Sequence, residues 1–314
     1  MSELYVVTGG GGFIGSHVAE ALAAKKKKVR VVDNFSTGTM RNLKPFLDDI
    51  EVLEGDVRHS HTIEDALRGA THVVHLAALG SVPRSVDAPL NTHAHNVDGL
   101  LALLDAVRRK PVKRFVFASS SAVYGDNPSL PRKETDTPMP LSPYAVTKIA
   151  GEDLARVFHR LGSVPAVGLR LFNVFGPRQD PDSPYAAVIP RFFKAVLSKE
   201  PFSIYGDGQA LRDFTFVGDV VQAILSALSK KEAVGQVLNV AGGRSTSVLE
   251  LARLVAKVAG AKCQVKYLPA RPGDAPKSYA SIKAAQKLLE IKVRTGLEEG
   301  LRLTYDWFCK EHAA

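Results

Sequence analysis

Short apolar runs punctuate the first half of the chain. Leu4–Thr8, Val29–Asp33, Glu51–Glu54, Val73–Leu76, Phe115–Ser119 and Ala166–Leu171 are dominated by Val, Leu, Ala and Phe. That is the pattern of strands buried on both faces rather than on one. Longer segments between them carry helical patterns, at Ile14–Ala24, His61–Leu67, His93–Arg109 and Pro143–His159. Strand and helix alternate, so the expected fold class is α/β, with a doubly wound parallel sheet.

The second half is less regular. Pro and Gly gather in "FGPRQDPDSPY", "IYGDGQ" and "LPARPGDAPKS", which read as loops. Helices are expected at Ala186–Ser198, Val248–Val258 and Ile282–Leu289, and Val237–Val240 is expected to return a strand to the main sheet. The division that follows is a nucleotide-binding domain over 1–173 with a returning segment near 214–241. A smaller substrate-binding region takes up 174–213 and 242–314.

The chain has 314 residues, enough for one large domain or two smaller ones. It opens directly into "ELYVVTGG", with no basic stretch and apolar run ahead of it, so no signal peptide is expected. No apolar run is long enough to span a bilayer. Cys263 and Cys309 stand alone without a CxxC motif, which fits a reducing cytoplasm. The net charge of +9 raises the question of nucleic acid. Its densest run, Lys25–Lys28, falls where the first helix should end, and cations there complement the helix dipole. No aromatic residues interleave with it, so no nucleic-acid partner is expected. The surplus charge would also attract an anionic substrate.

"VVTGGGGFIGSH" joins the first strand to the first helix. It satisfies G-x-x-G-x-x-G through Gly9, Gly12 and Gly15, and G-x-G-x-x-G through Gly10, Gly12 and Gly15. Glycines there allow a tight turn and let backbone N–H groups approach a pyrophosphate at the helix N-terminus. Asp33 ends the next strand, where a carboxylate accepts hydrogen bonds from both adenosine ribose hydroxyls and repels a 2′-phosphate. The expectation is a Rossmann-type site for NAD rather than NADP. Asp56, in "EGDV", contacts adenine or caps a turn.

"SPYAVTKIAGE" sets Tyr144 and Lys148 four residues apart on a predicted helix, on one face. A nearby ammonium stabilises a phenolate and lowers its pKa, which makes tyrosine a usable base. The spacing alone is weak evidence, since Tyr279 and Lys283 repeat it outside the nucleotide-binding half. Two H-x-H pairs, His59/His61 and His93/His95, lack a third ligand at sensible spacing, so they read as surface or loop residues and no metal is expected. His75 reads as structural.

Taken together, "TGGGGFIG", "VVDNFSTG", "GDV", "HLAA", "SSSAVYG", "YAVTK", "LRLFNVFGPRQ", "RDFTFVGDV" and "RPGD" make the chain resemble an extended short-chain dehydrogenase/reductase. The resemblance covers nearly the whole length and lies with the nucleotide-sugar epimerases and dehydratases. It implies cofactor contacts at Gly9, Gly12, Phe13, Ile14 and Gly15. It adds Asp33, Asn34, Ser36, Thr37 and Gly38, then Asp56 and Val57, then Leu76, Ala77 and Ala78, with Tyr144 and Lys148 at the nicotinamide end.

In the family, a hydroxyl four residues before the tyrosine of "VYG" hydrogen-bonds the sugar O4, which implies Ser120, or Ser121 if the register slips. Related dehydratases carry Asp and Glu directly after that hydroxyl, and related decarboxylases use a Glu in the same segment. Here those positions are Ser121 and Ala122, which perform no carboxylate chemistry. What remains is oxidation and re-reduction at C4, an epimerase. Substrate contacts are implied at Ser120, Ser121, Tyr144, Asn173, Ala187, Val188, Arg212, Arg271, Asp274 and Ser278. Read singly, Arg212 and Arg271 would be surface salt-bridge residues; in the motifs they suit a diphosphate.

The position four residues after the R-x-G-D aspartate is a tyrosine in epimerases restricted to plain hexoses. Here it is Ser278, although a one-residue shift would bring Tyr279 there instead. "GSVPRSVDAP" and "YAAVIPRF" also resemble the branch acting on UDP-N-acetylglucosamine and UDP-N-acetylgalactosamine. Activity on both classes is expected, with N-acetylated sugars favoured. A UDP-glucuronate 4-epimerase is the alternative, with Arg84 and Arg191 as partners for a C6 carboxylate. A non-catalytic NAD-binding regulator is a further alternative, against which stands the intact Tyr144–Lys148 pair. The resemblance also implies a homodimer, paired through the helices around His93–Arg109 and Pro143–His159.

Overall fold

A computed structural model describes residues 3–183, 186–270 and 276–312. Six strands alternate with helices: β1 (Leu4–Thr8), β2 (Lys28–Asp33), β3 (Glu51–Glu54), β4 (His72–His75), β5 (Arg114–Ser120) and β6 (Ala166–Leu171). The strand Val237–Val240 joins them at one edge. The sheet runs Val237–Val240, β6, β5, β4, β1, β2, β3, and every pairing is parallel. Order reverses between β1 and β4, which opens a crevice at the carboxyl ends of the strands.

The sheet is apolar on both faces, as its near-continuous hydrophobic strands require. Val6, Val32, Val73, Phe115 and Phe117 face one way and pack on Leu103, Leu104 and Ala155. Tyr5, Val7, Val31, Val74, Val116 and Val167 face the other way, onto Val18, Leu22, Val220 and Ile224. Each fully buried Val or Leu contributes about 1.5–3 kcal/mol relative to exposure.

Three helical features depart from the sequence reading. The expected helix His93–Arg109 is in fact broken into Pro89–His93, a π-helical turn at Ala94–Asp98, and Gly99–Arg109. The widened turn aims Asn96 inward, where Oδ1 accepts from Leu79 N (2.8 Å) and Nδ2 donates to Thr147 Oγ1 (3.1 Å). Helices at Val217–Ser229 and Leu297–His312 were not expected. The first covers the sheet with Val220, Ala223 and Ile224, so tertiary burial, not local propensity, holds its Val-rich start in a helix.

A second core, rich in phenylalanine, lies beyond the carboxyl ends of the strands. Phe175, Phe192, Phe193, Phe202 and Phe308 fill it. A small sheet orders Thr246–Ser247, Leu211–Arg212 and Lys277–Ser278, and pairs Ser278 with Arg212. This sheet carries both residues to the rim of the crevice. No helix among the described residues is long and apolar enough to cross a membrane.

Candidate active site

The crevice is a cavity of about 590 Å³. One end is the turn between β1 and the helix Phe13–Ala24. Gly9 has φ +70°, and a Cβ on Gly15 would lie 2.1 Å from the Gly9 carbonyl oxygen, so neither position accepts a side chain without rearrangement. Gly12 precedes the helix with no side-chain cap. The first helical amides are therefore left to an external acceptor, as a pyrophosphate site requires.

Asp33 closes this end. Its Oδ2 accepts from Gly11 N and its Oδ1 from Phe35 N, both at 2.8 Å. Burial pushes its carboxyl up, and the backbone donors of Phe35, Gly11 and Gly12 oppose that shift. Each oxygen keeps a further lone pair for a ribose hydroxyl. Asp56 is held differently. Arg58 grips it through two bonds of 2.9 and 2.8 Å, and Asn34 Nδ2 donates at 2.7 Å. The Arg58 guanidinium holds the Asp56 carboxyl well below its ordinary range. An uncapped helix end, a glycine cradle and a carboxylate at the next strand end fit NAD.

The other end is chemical. The helix Pro143–Arg160 starts at Ser142, whose side chain accepts from Ala145 N, with proline in its first turn. Its register brings Tyr144 and Lys148 into the cavity. Lys148 Nζ donates to the Ala118 carbonyl at 2.9 Å and stands 5.7 Å from the centre of the Tyr144 ring. Burial raises the Tyr144 pKa, and a hydrogen bond from Ser120 lowers it. Ser120 is the hydroxyl that acts on the phenol in this way, although both Ser120 and Ser121 line the cavity, and its Oγ also accepts from Ala122 N at 3.2 Å.

Burial also lowers Lys148 from 10.5 to about 8, while Glu152 opposes the shift. Below that pH the ammonium is unreactive, and above it the free amine is a nucleophile. In protein stripped of cofactor, acylation of Lys148 read by mass spectrometry is expected to have its midpoint near pH 8. Bound NAD should protect it. A midpoint near that of surface lysines, about 10.4, would contradict this reading.

The cavity lining includes Gly9, Gly12, Phe13, Ile14, Gly15, Asp33, Asn34, Ser36 and Thr37. Asp56, Val57, Leu76, Ala77, Ala78, Asn173, Ala187, Arg212 and Ser278 also line it. Two expected residues stand apart. Gly38 packs behind the glycine turn, where a Cβ would meet the Gly11 carbonyl carbon at 2.7 Å, so it shapes the loop from behind. Val188 begins the helix Val188–Leu197 and packs on the phenylalanine core. Arg271 and Asp274 lie outside the described residues.

Asn173 adopts φ +30° and spends its Nδ2 on the Asp213 carbonyl at 3.0 Å, leaving its side-chain oxygen for the cavity. His75 is bonded to Thr8 Oγ1 at 2.8 Å, and burial pushes it down to about 3, so it stays neutral. No group of side chains that would hold a metal ion is found among the described residues.

Sequence reasoning missed His95, which the π-helical turn rotates into the cavity lining and which bonds the Asn91 carbonyl at 2.8 Å. It also missed a buried polar network beneath the site. Glu152, one turn beyond Lys148, pairs with Arg170 through two bonds of 2.9 and 2.7 Å. Glu152 also accepts from Ser119 Oγ, the neighbour of Ser120. Arg170 donates to the Tyr124 hydroxyl at 2.8 Å, and Tyr124 donates to Asn239 at 2.7 Å. The signal was present in "YAVTKIAGE", where an acid falls on the face of Tyr144 and Lys148.

Comparison with solved structures finds the same architecture at full length. UDP-N-acetylglucosamine 4-epimerase from Methanobrevibacter ruminantium M1, in complex with UDP-N-acetylmuramic acid, is 41% identical with a TM-score of 0.94, covering 99% of this chain and 100% of that one. UDP-glucose 4-epimerase from Thermotoga maritima, with UDP-glucose, is 37% identical with a TM-score of 0.94, covering 98% and 99%. UDP-glucuronic acid 4-epimerase from Bacillus cereus, in complex with UDP-glucuronic acid and NAD, is 31% identical with a TM-score of 0.90, covering 98% and 99%. The family model for NAD dependent epimerases and dehydratases matches residues 5–241. With its glycine cradle, its Asp33 at the next strand end and its paired Tyr144 and Lys148, the chain belongs to the NAD dependent epimerase/dehydratase family.

Proposed function

We propose that this protein inverts C4 of UDP-sugars: UDP-N-acetylglucosamine and UDP-N-acetylgalactosamine first, UDP-glucose and UDP-galactose also. One observation carries the reading. Asp33 and Asp56 are the carboxylates that line the cavity among the described residues, and both stand at the adenosine end. Beside Tyr144 are Ser120, Ser121 and Ala122. That end can move a hydroxyl proton, but it has no acid to expel a C6 hydroxyl.

Bound NAD supplies a reversible hydride acceptor. Tyr144, as phenolate, takes the O4 proton, with Ser120 in the hydrogen-bond path. Lys148 holds the phenolate charge from one turn along the helix. Arg212 and Asn173, with Arg271, would pin the diphosphate, and Asp274 the uridine ribose, while the hexose turns between proton removal and return. Ala187 would border the sugar pocket. Ser278 lies in register with Arg212 and lines the cavity, whereas Tyr279 is tied back through its carbonyl to Arg132 N at 2.9 Å. A small residue at that place supports room for an N-acetyl group. Neither Arg84 nor Arg191 lines the cavity, and Arg191 stacks on the Tyr205 ring at 5.2 Å. This weighs against a uronate substrate. The proposed division of labour puts 1–173 and 214–241 on the cofactor and 174–213 and 242–314 on the substrate.

The test mixes purified protein, without added NAD, with UDP-N-acetylglucosamine and separately with UDP-glucose, and follows the C4 epimers by proton NMR. UDP-N-acetylgalactosamine is expected to form faster than UDP-galactose. Conversion of UDP-glucose alone would mean that a side chain other than Ser278 closes the pocket. No turnover of either, even with NAD added, would refute the proposal.

The protein is proposed to act as a homodimer. Leu101 in Gly99–Arg109, and Val146 and Val157 in Pro143–Arg160, are exposed apolar side chains on the two helices expected to pair. Light scattering is expected to give twice the 33.8 kDa chain mass; a monomer at micromolar concentration would refute the pairing.

A further inference from the structure

The base of the sheet carries a second concavity, of about 990 Å³. Tyr5, His72 and Arg114 fix its place, because they stand at the starts of β1, β4 and β5. The candidate active site lies at the opposite ends of the same strands, at Gly9, Leu76 and Ser120.

Its charge is one-sided. Lys25, Lys27, Lys113, Lys231, Lys292 and Arg294 line it, against the carboxylates Glu3 and Glu290 among the described residues. Glu3 is divided between Lys27 and Lys113, at 3.3 and 3.2 Å, and Glu290 is paired with Lys230. Lys25, Lys231, Lys292 and Arg294 have no carboxylate within ion-pair distance among the described residues. These cations come from separate parts of the chain: a helix end, two loops and the segment after Leu289. A solvated helix end explains Lys25 and Lys27, but not the convergence of the others on the same hollow.

The floor is buried and polar. Arg114 is only 6% exposed, and its Nη1 donates to the carbonyls of Ala227 (3.2 Å) and Lys230 (2.7 Å). Its Nε is buried with no hydrogen-bond partner among the described residues. The Arg114 guanidinium stays charged beneath the hollow, and a bound anion offsets that charge at short range. The His72 ring stacks on Tyr5 with centroids 4.3 Å apart, and Leu22, Leu225, Leu228 and Ile291 form an apolar wall. A concave basic surface with low-dielectric walls focuses potential on a small anion.

We propose that this hollow binds a small phosphate-bearing molecule, separately from the candidate active site. The phosphate would meet Arg114 and the surrounding lysines, and its organic body the Leu and Ile wall. The Lys25–Lys28 run thus contributes to a site as well as to the end of a helix.

The test titrates inorganic pyrophosphate by calorimetry into the full chain saturated with NAD and UDP, which fill the phosphate-binding positions of the candidate active site. Lys25→Ala, Lys231→Ala and Arg294→Ala together are expected to weaken binding at least tenfold. These side chains are exposed, so the fold should survive where Arg114→Ala, at the buried floor, need not. Arg212→Ala, which lies in the lining of the candidate active site and not of this hollow, should leave this binding unchanged. Equal affinity in the triple variant, loss of binding in Arg212→Ala, or no saturable binding to the wild-type chain would each overturn the proposal.

Discussion

Replacing Tyr144 by Phe is expected to cut UDP-sugar turnover by about 10³-fold, within the range for loss of a general acid–base group. Cofactor retention should stay intact. The substitution deletes one oxygen and keeps the ring, so the packing of Pro143–Arg160 is preserved. What disappears is the phenol oxygen on which Ser120 acts and which would take the O4 proton. Lys148 keeps its bond to the Ala118 carbonyl and its place in the cavity. Initial rates and the NAD released on denaturation are the two readouts. A loss of rate with NAD retained assigns chemistry to Tyr144. Loss of both would make it a cofactor anchor, and a rate within tenfold of wild type would remove it from the mechanism. The second Tyr–Lys pair offers no substitute, because neither Tyr279 nor Lys283 lines the cavity.

Replacing Glu152 by Ala is expected to lower folding stability by about 3–5 kcal/mol, the cost of stranding one member of a buried ion pair. The Glu152 side chain is 2% exposed and its partner Arg170 5% exposed, so solvent screens neither. Removing the acid leaves a guanidinium in the core with only Tyr124 and the Glu134 carbonyl to satisfy it. It also frees Ser119, next to Ser120 at the end of β5. Urea unfolding measures the loss. The double variant Glu152→Leu with Arg170→Met, which removes both charges, should recover most of it. Equal destabilisation in the single and double variants would show that packing, and not the uncompensated charge, sets the cost.

The parallel sheet was legible because its strands are buried on both sides. Runs such as Tyr5–Val7 and Phe115–Phe117 stay apolar without alternation, and each ends close to where the pattern places it. The cofactor end was legible for a related reason. A glycine turn between strand and helix, followed by an acid at the next strand end, is a local pattern with a steric cause. The candidate catalytic helix announced itself through Tyr144 and Lys148, four apart after a Ser-Pro start. Ser120 needed the resemblance for its role. Its action on Tyr144 crosses from β5 to the helix and depends on no sequence spacing.

The sequence by itself determined the α/β class, the two ends of the crevice and the absence of carboxylates after Ser120. Those features rest on periodicity, glycine sterics and the chemistry of single side chains, all of which are local. Tertiary structure decided the rest. It turned His95 into the cavity through a π-helical turn, because Asn96 had to reach Leu79 and Thr147. It chose Ser278 over Tyr279 by pairing Lys277–Ser278 with Leu211–Arg212. It joined Glu152, Arg170, Tyr124 and Asn239 into one buried network, and drew distant cations around Arg114 at the base of the sheet. Each of these is a meeting of residues far apart in the chain. Their proximity is fixed by how the layers pack, which no local pattern encodes.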